Sequence, residues 1–282
     1  MLDLKEKLAH GMFLFCACIC IICVALICIF LFANGIPAIK EIGLFDFLFG
    51  VNWAPLDEEF GIFPMIIGSI YVTAGAIFFG VIFGVLCAIF LSKFCPLYLN
   101  KILNPIIHLM AGIPSIVYGF FGLVVIVPLV QYYFGTSGKG ILSASLLLGI
   151  MILPTIISIS KTAIDSVPTN YYEGALALGI THERSVFFIL LPAAKSGILT
   201  SIILGIGRAI GETMAVVMIA GNQAIIPQSI LDGTRTLTAN IVLEMGYATD
   251  LHRNALLGTA VVLFVFILMI NISFSLICRR KS

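Results

Sequence analysis

GIGRAIGETM, residues 205–214, sits within the run 197–221, where Arg208 and Glu212 are the only charges. A charge at the centre of a membrane helix costs about 2.5–3.5 kcal/mol on insertion scales, so the pair needs a reason. Whether the run crosses a membrane depends on the chain around it. Its 282 residues are 61% hydrophobic and only 10% charged, and the mean hydropathy is +1.17. A soluble domain is about a quarter charged, so the solvent of this chain is a bilayer. A net charge of +1 without a basic cluster gives no reason to expect nucleic acid as a partner.

Spanning a hydrocarbon core of about 30 Å takes roughly 20 apolar residues in a helix. Six windows qualify: 11–33, 63–91, 105–130, 141–160, 197–221 and 256–278. They are continuously apolar rather than alternating, which predicts helices and not a barrel. The expected architecture is all-α, a single membrane domain over residues 1–282 with six transmembrane helices. With the N-terminus inside, the inner segments hold Lys5, Lys7, Lys93, Lys101, Lys161, Arg184, Lys195, Arg279, Arg280 and Lys281. The outer loops hold Lys40, Lys139, Arg235 and Arg253. That asymmetry places both termini in the cytoplasm. The first run is longer than a signal-peptide core and lacks a small-x-small cleavage site, so it reads as a retained helix.

Cys16, Cys18, Cys20, Cys23 and Cys28 all fall in that first run, where packing explains them. Cys20 and Cys23 form a CxxC near His10, but a metal site needs polar groups to orient its ligands, and none is at that depth. No metal ligand set is expected. The outer loop 34–62 is acidic and carries Trp53, the sole tryptophan, as an interfacial anchor. In the last outer loop, 236–245 predicts a short helix near the surface. Pro114 should kink the third span, where Ser115 can satisfy a carbonyl that the kink frees. Alternatively Ser115 and Tyr118 line a polar path.

The inner loop 161–192 reads KTAIDSVPTNYYEGALALGITHERSVFFILLP. Pro168 closes one element, Asn170 can cap the next, and Glu173 stands at the capping-box position. Gly179 stops that helix and Thr181 can cap a second, ending at Pro192. The result is a helical hairpin that either docks into a partner's groove or lies on the membrane surface.

Glu173, Ala175 and Gly179, followed by Ile189, Leu191 and Pro192, resemble the EAA---G---------I-LP loop of bacterial ABC-importer permeases. Gly174 departs from that pattern, which has alanine there. AGIPSIVYGFFGLVV (111–125), LGIMILPTI (148–156), RAIGETMAVVMIAGN (208–222) and RTLTANIVLEMG (235–246) resemble permeases of the phosphate-specific importer. The likeness is to the first of its two permease subunits (PstC type) more than to the second (PstA type). It implies a type I ABC-importer permease of the cytoplasmic (inner) membrane, moving inorganic phosphate by alternating access. It also implies a second permease in a heterodimer, two cytosolic ATPase subunits and an external phosphate-binding protein. By the same resemblance, Glu173, Ala175, Gly179, Ile189, Leu191 and Pro192 couple to the ATPase, and Arg208 and Glu212 are the family's intramembrane charges.

The chain has no P-loop, since Gly140 follows the Gly138-Lys139 pair where Ser or Thr is required. No catalytic residue and no cofactor are expected here; ATP and magnesium belong to the partner ATPase. On a continuous helix Ser201, Gly205, Arg208, Glu212 and Ala215 share one face, and Gly207 and Gly211 form a GxxxG. Such a face either lines an oxyanion pathway, with Arg208 attracting and Glu212 competing, or holds a structural ion pair. Molybdate or sulfate would fit the same chemistry. An intramembrane hydrolase using Glu212, Ser115 or His108 lacks the HExxH or GxSxG pattern.

Overall fold

The computed structural model describes residues 2–279, so Arg280 and Lys281, counted among the inner basic residues, lie outside the described residues. Its apolar runs fold as helices because a lipid-facing backbone must satisfy its own hydrogen bonds. α1 (Leu2–Ile42) and α2 (Leu44–Phe49) precede a small antiparallel hairpin, β1 (Trp53–Ala54) and β2 (Glu59–Phe60). Trp53 pairs with Phe60 across that hairpin. The loop expected to be a simple interfacial segment is therefore ordered, with Phe47, Phe60, Ile62 and Met65 buried beneath it.

Then come α3 (Phe63–Ile89), α4 (Leu97–Gly112), α5 (Ser115–Phe121), α6 (Val127–Phe134) and α7 (Ile141–Asp165). The hairpin between α7 and the next long helix holds α8 (Thr169–Ala177), α9 (His182–Ser185) and α10 (Leu191–Ala193). The last third contains α11 (Lys195–Gly211), α12 (Met214–Ile219), α13 (Leu237–Glu244) and α14 (Asp250–Arg279). Single π-helical turns follow α3, α5 and α9, at Phe90–Phe94, Gly122–Ile126 and Val186–Leu190.

Five helical stretches are long and apolar enough to span: Glu6–Ile42, Phe63–Phe94, Ser115–Phe134, Ile141–Asp165 and Asp250–Ser273. A sixth is reached when the bent pair His182–Ala193 and Lys195–Gly211 counts as one span, bent by 68°. Two expected spans are corrected. The third, 105–130, is not one kinked helix, because the chain breaks at Ile113–Pro114 and α4 is a separate helix. The fifth, 197–221, breaks at Glu212–Thr213, so only α11 is continuous.

α7 forms the centre, packed along α3 and α11, with α5 and α12 against its outer half. Its approach to α3 needs glycines: a Cβ on Gly80 would come to 2.5 Å from Ile152 Cδ1. α13 carries Thr236 as its N-cap, with Ala239 N donating to Thr236 Oγ1 at 3.2 Å. It does form within 236–245, but it is buried rather than lying on the surface, with Leu237, Ala239 and Asn240 at most 1% exposed. α1 meets the rest through α14 near its outer end, where Phe32 packs edge-on against Phe264 at 5.7 Å. Its stretch of exposed Cys16, Cys18, Cys20 and Cys23 lies away from that contact.

Candidate functional site

α11 carries Arg208 in its last turn and ends at Gly211. Glu212 then takes an extended conformation, φ −73° and ψ 130°, before α12 begins at Met214. This overturns the expectation that Glu212 shares a helix face with Arg208. Among the described residues, ion pairs join Lys93 and Lys161 to Asp165, and Arg235 and His252 to Glu244. Arg208 and Glu212 are not paired within 4.0 Å. Arg208 Nη1 instead donates to Thr155 Oγ1 on α7 at 3.4 Å. The Glu212 carboxylate accepts from Ala215 N at 3.4 Å, over the first turn of α12. Its backbone carbonyl accepts from Thr238 Oγ1 at 3.1 Å.

The small-residue face also divides. Ser201 is buried and shares a hydrogen bond with Ser160 Oγ at 2.7 Å. A Cβ on Gly205 would lie 3.1 Å from the Ile156 side chain. These two positions, with buried Ala215, pack the core and line no path. Gly207 and Gly211 differ, because beyond their own turn of helix no atom of the described residues lies within 4 Å of where a Cβ would stand. The GxxxG is thus an open face with room for another helix.

The second break lies beside the first. α5 starts after Pro114 and packs on α12, where a Cβ on Gly119 would come to 3.0 Å from Ala215 Cα. The Met110 carbonyl at the end of α4 accepts from Ile113 N at 3.3 Å and from Tyr118 Oη at 2.9 Å, not from Ser115. Tyr118 is buried. Ser115 is half-buried at the start of α5. The structure therefore sets Arg208 and Glu212 on either side of the α11 end, and brings Tyr118 to the same region only through the packing of α5 on α12. The sequence reading missed Thr155 and Thr238, which contact this group from α7 and α13. The only signal for them was a hydroxyl in an apolar or packed segment, a common feature. His108 is exposed on α4 and makes no hydrogen bond to Ser115 or Glu212 among the described residues.

On the inner face, Gly179 adopts φ +80° and reverses the chain between α8 and α9. Thr181 caps α9, its Oγ1 accepting from Arg184 N at 3.5 Å. Its hydroxyl, together with the backbone amide of Glu183, holds the Glu183 carboxyl below the usual carboxylate range, the amide contributing most. Asn170 does not cap the preceding helix, which starts one residue earlier with Pro168 before it. Tyr172 Oη and His182 Nδ1 share a hydrogen bond of 2.8 Å across the hairpin. Ala175, Val186 and Leu190 are buried, the last two against Ile89 and Ile164 at the inner ends of α3 and α7. Glu173 and Pro192 are exposed, and Ile189 and Leu191 are half-buried. Leu178 and Phe188 stand 83% and 76% exposed at the tip. A cavity of about 430 Å³ beside the turn is lined by Gly179, Ile180, Thr181, Arg184, Phe188 and Ile189.

Comparison with known proteins fits this arrangement. Residues 80–282 match the family described as "Binding-protein-dependent transport system inner membrane component". A probable ABC transporter permease protein, YqgH of Bacillus subtilis, is 39% identical over 277 residues, covering 94% of this chain and 89% of that protein. The phosphate transport system permease protein PstC of Mesorhizobium japonicum is 35% identical over 265 residues, covering 86% and 81%. A solved chain of the MetNI methionine ABC transporter, in an inward-facing conformation, superposes with a TM-score of 0.62 at 21% identity. That match covers 82% of this chain and all of the other, and it establishes the type I importer permease fold. With five to six candidate spans and a helical hairpin between α7 and α11, the chain belongs to the family of binding-protein-dependent transport system inner membrane components.

Proposed function

We propose that this chain is one permease subunit of an ATP-driven importer of inorganic phosphate. The observation that carries the reading is Arg208: a guanidinium in the last turn before α11 breaks, held by a neutral hydroxyl and, among the described residues, unpaired with any carboxylate within 4.0 Å. Its remaining donors suit a tetrahedral oxyanion, which a planar guanidinium binds through parallel hydrogen bonds. Glu212, close along the chain but not bonded to Arg208, can compete for the guanidinium and so prevent a passing anion from being trapped. Ser115 and Tyr118 belong to the same pathway on the neighbouring break. Relatives named as phosphate permeases at 33–35% identity support phosphate over sulfate or molybdate.

The working unit in this reading contains a second permease in a heterodimer, two ATPase subunits that bind ATP and magnesium, and an external phosphate-binding protein. The inner hairpin couples permease to ATPase. Its exposed Leu178 and Phe188 supply apolar knobs, and buried Ala175, Val186 and Leu190 fix the hairpin to the spans it would move.

Reconstituted uptake tests the reading. Arg208→Gln and Glu212→Gln should each lower phosphate uptake at least tenfold, while the complex assembles and sulfate and molybdate fail to compete in the wild type. Normal phosphate uptake by both variants would remove the pathway role. Competition by sulfate or molybdate as strong as by phosphate itself would reassign the substrate.

A further inference from the structure

Four residues apart on a continuous helix, an arginine and a glutamate face each other and pair. Arg208 and Glu212 do not, and each is held from a different direction. We infer that Thr155 and Thr238 are positioning residues that keep the two charges apart, so that Arg208 stays free for an anion. The inference rests on the pathway reading of Arg208 and Glu212.

On the arginine side, Thr155 Oγ1 accepts from Arg208 Nη1 at 3.4 Å. A hydroxyl can orient a guanidinium without discharging it, and it uses one of five N–H donors. A carboxylate in that place would orient the group and neutralise it as well.

On the glutamate side, the hydroxyls run in one direction. Thr236 Oγ1 accepts from Ala239 N, which leaves the Thr236 proton for Thr238 Oγ1, 3.1 Å away. Thr238 in turn gives its only proton to the Glu212 carbonyl at 3.1 Å. That carbonyl is one that a continuous helix would need for its own ladder. Both hydroxyls are buried, so water does not readily replace them. With ψ at 130° the Glu212 carbonyl is turned off the axis of α11, and its bond to Thr238 tethers it to α13 in that direction. Were the helix continuous, Glu212 would turn onto the face of Arg208 and close an ion pair.

Each threonine is therefore replaced by valine, which keeps the shape and removes the hydroxyl, and by serine, which keeps the hydroxyl and loses the methyl. The assembled complex is reconstituted and its maximal phosphate uptake measured. Thr155→Val and Thr238→Val should each fall about tenfold, the scale of one lost hydrogen bond, with Thr155→Ser and Thr238→Ser within about twofold of wild type. A packing role gives the opposite order. Valine variants that transport like the wild type, or serine variants that fall as far as valine, would overturn the inference. So would valine variants that fail to co-purify with their partners where serine variants succeed, because the hydroxyl would then serve folding. Arg208→Gln and Glu212→Gln run alongside. If they transport normally, the pathway reading itself fails and this inference with it. If they are inactive while the valine variants are not, only the positioning role is lost.

Discussion

Glu244 accepts from three side chains at once: Trp53 Nε1 at 2.8 Å, Arg235 Nη1 at 2.6 Å and His252 Nε2 at 2.9 Å. It is 8% exposed and its arginine partner 18%, so the Arg235 pair is largely shielded from water. Removing one member of a buried pair strands the other charge, at a cost of about 3–5 kcal/mol. Glu244→Ala is expected to destabilise the subunit by about 3 kcal/mol, read as a drop in the thermal unfolding midpoint of the purified complex. An unchanged midpoint would show that the network contributes nothing. Arg208 is the opposite case, a guanidinium whose described partner is one neutral oxygen. The difference was invisible in the sequence, where both arginines have a glutamate within ten positions. What separates them is contact from afar: Trp53 reaches Glu244 across 191 positions, and Thr155 reaches Arg208 across 53.

Among the elements, those built from local chemistry were the most legible. The inner hairpin follows from a glycine stop and a threonine cap, both of which do their work within a few residues. Only the first cap was misplaced, because Pro168 lets the helix begin at Thr169 without a side-chain acceptor. The break at Pro114 was half legible, since proline announces an interruption but not whether the helix bends or ends. The break at Glu212 was not legible at all. No proline marks it, and Thr238, which holds it open, lies 26 positions away. The hairpin turn itself can be tested, because a side chain at Gly179 would meet nothing within 4 Å and only the positive φ opposes one. Asparagine tolerates that conformation better than alanine, and a β-branched residue is worst. Uptake should therefore fall in the order Gly179→Asn, Gly179→Ala, Gly179→Val, with a penalty of about 1–2 kcal/mol for alanine. Equal uptake by the asparagine and valine variants would show that the turn needs no left-handed residue.

At the scale of the whole molecule, two faces of the chain are left open. The largest core lies along α7, while Gly207 and Gly211 on α11 meet no side chain among the described residues. The inner hairpin likewise buries one side against α3 and α7 and leaves Phe188 uncovered. If that tip seats in the ATPase, Phe188→Asp should leave the permease in the membrane but stop the ATPase from co-purifying with it. Retention of the ATPase at wild-type yield would move the contact elsewhere. The two neighbouring breaks also have an electrical meaning. A bilayer repels ions because hydrocarbon offers nothing to replace their hydration, and the energy barrier grows with the thickness of that dry layer. Where α4 gives way to α5 and α11 to α12, the chain leaves the helical ladder and its peptide groups are exposed at the ends of apolar helices. An anion beside these breaks would meet backbone dipoles where a continuous helix would offer it only apolar side chains.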